Sequence, residues 1–188
     1  MKKRKIERFD PRAHRSLTNY DSSTMIRRVF WGFVQPIVRY LVPRQFYGIR
    51  NGVLRLFGAH IGEHVRIYPT AEIFYPWNIC IEDHVTVGWD VKLYSLEKII
   101  IREGAMISQG AHLCAGSHDY TAAARPLVLK PIEVGKRAWI AADAFVAPGV
   151  SIGEDSVVGA RSVVMRDVDS LRVVAGNPAQ VIRELETS

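Results

Sequence analysis

Fifteen six-residue units, each beginning with Ile, Val or Leu, run through this chain in five groups of three. They start at Ile61, Ile67, Ile73; Ile81, Val87, Leu93; Ile101, Ile107, Leu113; Val134, Ile140, Val146; and Ile152, Val158, Val164. Four residues after each start comes a second pattern: Val65, Ala71, Trp77; Val85, Val91, Glu97; Ala105, Ala111, Ser117; Ala138, Ala144, Val150; Ser156, Ser162, Val168. Thirteen of these fifteen are Ser, Ala or Val, and the exceptions Trp77 and Glu97 both close a group. A repeat this regular is the signature of a stacked architecture and takes precedence over any local helix or strand assignment.

Side chains alternate between the two faces of a strand. One large aliphatic and one small residue per unit read as a short strand and a corner, the aliphatic filling the interior and the small residue letting the chain turn. Three units close a triangular coil of eighteen residues. Ile61, Ile81 and Ile101 are spaced by twenty, so two coils carry two-residue inserts; Val134 and Ile152 are eighteen apart. Ile101 and Val134 are thirty-three apart, so a fifteen-residue loop, 119–133, leaves the third coil. Stacked coils pair their backbones and bury a continuous aliphatic column. A helical reading fails, because the pattern lacks helical spacing and Gly62, Gly88, Gly104, Gly110, Gly135, Gly149, Gly153 and Gly159 would weaken any helix. The expectation is an all-β-dominated parallel β-helix of about five triangular coils over 59–168, preceded by an arm and a helical cap (1–58) and followed by a tail (169–188).

The chain has 188 residues and a net charge of +6, which suits one domain with an extra segment and favours anionic partners. No nucleic-acid-binding module is visible, and nucleic acid is not an expected partner. Cys80 and Cys114 show no metal-ligand spacing and read as buried or partly buried free thiols of a reducing cytosol. Residues 1–20 are basic, starting Met1-Lys2-Lys3-Arg4-Lys5, and read as an arm that is mobile or laid on the surface. Residues 24–58 are apolar and aromatic but interrupted by Arg27, Arg28, Arg39 and Gln35-Pro36, too charged for a membrane span. No small-residue cleavage site follows, so no secretory signal is expected and the location is cytoplasmic. Two readings of 24–58 stand: short helices covering the open end of the stack, and an amphipathic segment touching the inner face of a membrane.

Ile61–Arg183 resembles the hexapeptide-repeat acyltransferases, which fold as a left-handed parallel β-helix, and within them the colanic-acid-biosynthesis type of O-acetyltransferase. The segments that carry the likeness are Tyr75-Pro76-Trp77-Asn78, Ile107-Ser108-Gln109-Gly110-Ala111, Leu113-Cys114-Ala115-Gly116-Ser117-His118-Asp119-Tyr120, and Val174-Ala175-Gly176-Asn177-Pro178-Ala179-Gln180-Val181-Ile182. The maltose, galactoside and nodulation-factor acetyltransferases are similar but more distant. The resemblance implies transfer of acetyl from acetyl-CoA, with no metal, to a sugar hydroxyl of a polysaccharide or its precursor, and a homotrimer with active sites between subunits.

A sugar hydroxyl is a poor nucleophile until its proton is removed, and histidine suits that task near neutral pH. Of His14, His60, His64, His84, His112 and His118, the last lies where the third coil gives way to its loop. The resemblance makes His118 the base. Asp119 or a backbone carbonyl would orient its ring. Cys114 occupies a repeat position, and direct transfer needs no covalent nucleophile. By resemblance Trp139, Ala142 and Ala160 fall along the coenzyme A groove, and Asn177, Pro178 and Arg183 close it. Arg161, Lys136 and Arg137 are candidate phosphate partners by charge. Tyr75, Trp77, Asn78, Tyr94 and Gln109 are candidates for the acceptor site, since aromatic faces stack on sugars and amides bond hydroxyls. Rival functions on this fold are an acyltransferase for an antibiotic or amino acid, a non-enzymatic polysaccharide-binding scaffold, and a zinc enzyme of the γ-class carbonic anhydrase kind. The last needs three imidazoles, and no histidine follows His118 to supply the third.

Overall fold

A computed structural model describes residues 5–16 and 21–186. The basic start Met1–Arg4 and residues 17–20 lie outside the described residues. The chain from His60 winds into a parallel β-helix whose two- and three-residue strands form three faces. The first face holds His60–Ile61, Ile79–Ile81, Ile99–Ile101, Ile132–Val134 and Ser151–Ile152. The second runs from Arg66–Ile67 through Thr86–Val87, Met106–Ile107, Trp139–Ile140 and Val157–Val158 to Arg172–Gly176. The third holds Glu72–Ile73, Lys92–Tyr94, His112–Cys114, Phe145–Val146 and Val163–Val164.

The register stacks the repeat starts directly: Ile61 on Ile81, Ile81 on Ile101, Ile101 on Val134, Val134 on Ile152. All fifteen starts are buried. The small residues also point inward: Val85, Val91, Ala105, Ala111, Ala138, Ala144, Ser156 and Ser162 are fully buried at the corners.

The stack extends into a sixth turn. Val168 bridges Ile152 in parallel and Val174 pairs with Val158, so the chain completes two more faces before Arg172–Gly176 folds back antiparallel on Ala179–Glu184. The corner geometry shows the same continuation. At the first corner the residue three past each start has a positive φ: His64, His84, Gly104, Arg137, Asp155 and finally Leu171. This region is unfavourable for residues with a Cβ, and the stack enforces it. Each corner amide donates to the previous coil's corner carbonyl, as in Arg137 N to Glu103 O at 2.9 Å and Leu171 N to Glu154 O at 2.9 Å.

The first coil would otherwise expose a row of unpaired carbonyls. Three helices precede it: α1 (Pro11–Arg15), α2 (Ser22–Leu41) and α3 (Tyr47–Leu56). α3 and α2 supply a side-chain donor to each face. Arg55 Nε donates to Ile61 O at 2.9 Å, Arg50 Nη1 to Ile67 O at 3.0 Å, and Trp31 Nε1 to Ile73 O at 2.9 Å. Asn51 Nδ2 reaches Val65 O at 2.9 Å. Trp31, Val38 and Leu54 bury the apolar contact beneath. Among the described residues no helix is long and apolar enough to cross a membrane.

Candidate active site

Every long insertion leaves the stack at one corner, between the third face and the next coil's first face. In the first coil it holds Tyr75 and the short 3-10 turn Pro76–Asn78; in the second, Ser95–Lys98; in the third, a hairpin. Gly116–His118 pairs antiparallel with Leu127–Leu129, His118 opposite Leu127, and Ile132 re-enters the first face opposite Ile99. The hairpin begins at a glycine packed closely on the second coil: a Cβ on Gly116 would lie 2.7 Å from Leu96 Cδ1 and 3.1 Å from Leu96 Cβ, so Leu96 would have to shift.

His118 stands exposed at the end of its strand. Its Nδ1 lies 2.8 Å from the carbonyl of Arg125 across the loop. A carbonyl only accepts, so Nδ1 carries the proton and a neutral ring presents the Nε2 lone pair. Asp119 Oδ1 accepts from the amide and hydroxyl of Thr121 at 2.8 and 2.6 Å, which shapes the loop. Of the two ways of orienting the ring, the backbone carbonyl is the one drawn here.

The segment 5–16 lies along this loop. Glu7 N donates to Thr121 O at 2.9 Å, Asp10 N to Ala123 O at 2.9 Å, and Ala123 N to Glu7 Oε2 at 2.9 Å. Asp10 caps α1, accepting from Arg12 N at 2.8 Å, and α1 presents His14, whose Nδ1 donates to Ala124 O at 2.7 Å. The rings of His14 and His118 are 5.8 Å apart. Phe9, His14, His118, Tyr120 and Arg125 line a cavity of about 310 Å³. The sequence reading missed Phe9 and His14. Residues 1–20 read from sequence only as a basic arm, and nothing local shows that a helix in it packs more than a hundred residues away.

The candidate acceptor residues divide. Tyr75, Trp77, Asn78 and Tyr94 share the insertion corner with His118. Tyr75 is only 4% exposed and stacks on Trp77 with centroids 4.8 Å apart. Asn78 Nδ2 donates to Ser95 O and Leu96 O at 2.9 and 3.0 Å. These side chains build the corner on which the hairpin rests. Tyr94 is partly exposed and its carbonyl accepts from Ala115 N at 3.1 Å, one coil below the hairpin. Tyr94 also lines a larger cavity, about 450 Å³, with Phe74, His112, Lys92, Arg39 and Tyr40. Gln109 sits elsewhere, at the corner between the second and third faces.

That corner carries the candidate cofactor residues. Gln109, Ala142, Ala160 and Gly176 each fall two past a repeat start and stack in a column: Asp143 N donates to Gln109 O at 3.0 Å and Arg161 N to Ala142 O at 2.8 Å. Ala160 is exposed, Ala142 partly so, and Asn177 and Pro178 lie exposed at the column's top. Trp139, 46% exposed on the second face, donates from Nε1 to Ser108 Oγ at 2.8 Å. Arg161 lies 3.5 Å from Asp143 but stays largely in solvent. Arg183 is exposed on the closing strand. Lys136 and Arg137 lie at the first corner, where Arg137 is held by Glu154 and Asp155. One strand of the third face therefore separates the candidate groove from His118 within a single chain.

Cys114 Sγ lies 3.1 Å from Gly116 O, and burial pushes its thiol up. It is a protonated donor at neutral pH rather than a thiolate nucleophile. Among the described residues no group of three or more His, Cys, Asp or Glu side chains converges to hold a metal ion.

Comparison with known proteins agrees with the repeat architecture. Residues 131–166 match the bacterial transferase hexapeptide (six repeats) family. The chain is 45% identical over 159 residues, 85% of this chain and 87% of the other, to a protein of Escherichia coli K12 named as the colanic acid biosynthesis acetyltransferase WcaF. The fold superposes on a maltose O-acetyltransferase of Clostridium difficile 630 with TM-score 0.81 at 23% identity, covering 89% of this chain and 90% of that one. It also superposes on a hexapeptide-repeat acetyltransferase of Vibrio cholerae complexed with acetyl-CoA, with TM-score 0.78 at 24% identity, covering 91% and 93%. The chain belongs to the hexapeptide-repeat acetyltransferases, with the left-handed β-helix fold of that family, and its likeness within them is to the colanic acid biosynthesis type.

Proposed function

We propose that this protein is an acetyl-CoA-dependent O-acetyltransferase acting on a sugar hydroxyl of a polysaccharide or its precursor. The observation that carries the reading is His118, exposed on a hairpin, with Nδ1 fixed on a carbonyl and Nε2 presented as a base. Nε2 removes the proton from the acceptor hydroxyl as its oxygen attacks the thioester carbonyl. The tetrahedral intermediate then collapses, the C–S bond breaks, and the leaving thiolate of coenzyme A takes the proton back from His118. No covalent enzyme intermediate forms, in keeping with the half-buried, protonated Cys114 thiol. The donor lies along the column Gln109–Ala142–Ala160, with Trp139 beside it and Asn177, Pro178, Arg161 and Arg183 towards its end. Tyr94 contributes to the acceptor side, and Tyr75, Trp77 and Asn78 support the hairpin.

The strand between that column and His118 favours a homotrimer, in which one subunit's His118 faces the groove of a neighbour. Light scattering that finds a monomer at micromolar concentration refutes this. We also propose that the enzyme works in the cytoplasm at the inner face of the membrane. On α2, Ile26, Phe30, Phe33, Ile37 and Leu41 form an exposed apolar stripe beside Arg27 and Arg28, while Trp31 and Val38 pack against the stack. Such a face suits an anionic bilayer surface. Failure to sediment with phosphatidylglycerol vesicles disposes of it.

The function itself is tested by release of coenzyme A thiol from acetyl-CoA across a panel of sugar acceptors. Acceptor-dependent release is expected. No release with any acceptor, together with no calorimetric binding of acetyl-CoA, points instead to a scaffold that kept the fold.

A further inference from the structure

We propose that the acceptor carries an anionic group, a carboxylate or a phosphate, close to the hydroxyl that is acetylated, and that Arg125 recognises it. The proposal rests on His118 being the base.

The cavity at His118 is lined by two imidazoles, a phenol, a phenyl ring and a guanidinium, and by no carboxylate. Arg39, Arg102, Arg137, Arg161 and Arg172 each lie within ion-pair distance of Asp or Glu. Among the described residues Arg125 has no such partner. The acids nearby are engaged with the loop backbone: Asp119 Oδ1 accepts from Thr121 N, and Glu7 Oε2 from Ala123 N. The Arg125 side chain is exposed, but its guanidinium has a contact. It rests over the Phe9 ring, 4.3 Å from the centroid. Phe9 is in turn held by the bonds from Glu7 and Asp10 on either side of it. A guanidinium resting over an aromatic ring retains its fork of donors for a carboxylate or phosphate, and the ring contact reduces the entropy lost when the anion arrives.

Arg125 also fixes the distance at which that anion is read. Its backbone lies at φ +47°, in the left-handed region. There the residue aims its carbonyl at His118 Nδ1, 2.8 Å away, while its side chain crosses to Phe9. One residue thus positions the base through its main chain and offers a charge through its side chain. The anionic group and the acylated hydroxyl must then belong to the same sugar or to adjoining ones. The segment 5–16, which contributes no residue to the buried core, acquires a purpose as the wall that holds this charge in place.

The test uses the full-length protein and three probes: methyl β-D-glucuronide, glucose 1-phosphate and the neutral methyl β-D-glucoside. At low salt, kcat/KM for a charged probe should exceed that for the neutral one by about tenfold or more, the scale of one charge-assisted hydrogen bond. The ratio should shrink as salt is raised. Arg125→Gln should bring it close to one, whereas Arg125→Lys should keep part of it. Whichever charged probe is preferred tells carboxylate from phosphate. Equal rates on charged and neutral probes in the wild type, or an Arg125→Gln variant that lowers all three alike, overturns the proposal. Should none of the probes be acetylated, calorimetric binding of the same three in the presence of coenzyme A decides it: charged binding that Arg125→Gln abolishes supports the proposal, and no charged binding overturns it. Failure of the transferase reading looks different, as absence of both acetyl-CoA binding and thiol release whatever the acceptor.

Discussion

The fourth and fifth coils and the hairpin just before them are built on different terms. From Val134 to Val164 the chain shuts away an inward residue every two or four positions, and Val134, Ala138, Ile140, Ala144 and Val146 have no exposed surface. In the hairpin, residues 116–129, only Gly116 is buried. The coils are held by parallel ladders on two neighbours each. The hairpin is held by its own antiparallel pairing and by the docked segment 5–16. With His118 as the proposed base, stability and chemistry occupy separate parts of the molecule, and a site can be rebuilt on the hairpin without disturbing the column that supports it.

That separation is broken or sharpened most directly by a pair of substitutions. His118→Ala should lower kcat/KM by roughly 10²–10⁴, the usual contribution of a general base, and leave the thermal midpoint where it was. Ile140→Ala, in a side chain with no exposed surface that stacks between Ile107 and Val158, should cost about 2–5 kcal/mol of stability. Its activity, measured where it remains folded, should match the wild type. A His118→Ala protein that melts early, or a folded Ile140→Ala protein that is inactive, would mean the two regions are coupled.

A second comparison sets one substitution in two places. Gly153 lies where the sixth turn passes over the fifth, and a Cβ there would come within 2.2 Å of Ser170 N and 2.5 Å of the Asp169 carbonyl carbon. Those are backbone atoms fixed by the stack, so Gly153→Ala should destabilise by about 1–3 kcal/mol. Gly52 lies inside α3 with nothing within 4 Å of its added methyl. Gly52→Ala should stabilise by about 0.5–1 kcal/mol through helix propensity. Chemical denaturation of both variants checks the signs. Two losses would mean that the α3 cap is under constraints its surroundings do not show.

The same contrast decides what could be read from the sequence. The coils were legible because each unit repeats one physical requirement, an aliphatic at the wall and a small residue at the corner, and all fifteen starts are buried as that requires. The sixth turn was harder to see. Val174 follows Val168 by six, but Val168 follows Val164 by only four and reads as the small residue of the fifth coil; Leu171, moreover, stands where a left-handed conformation is needed, and that conformation comes from the stack below rather than from leucine. The insertion corner was legible as a place and not as an arrangement. Sequence pointed to Tyr75, Trp77 and Asn78 without telling which way they face, and the structure turns them into the corner, Tyr75 almost wholly buried. The wall formed by Phe9 and His14 was not legible at all, since it depends on contacts such as His14 to Ala124 that no local pattern encodes.

His112, on the column side of that divide, gives the smallest and most specific effect. His112 lies on the third face, half-buried, with Phe145 edge-on at 5.3 Å and Tyr94 at 6.2 Å. Burial holds its pKa below the ordinary histidine value, Lys92 in register beside it pushes the same way, and Glu72 opposes them. In the folded chain it stays neutral where the unfolded chain takes up a proton. The unfolded state then binds more protons, so stability rises with pH through this range and is lost as pH falls below about 6.5. His112→Asn should flatten the dependence of the thermal midpoint on pH between 7 and 5. If His112→Asn leaves the slope unchanged, the acid sensitivity lies elsewhere in the molecule.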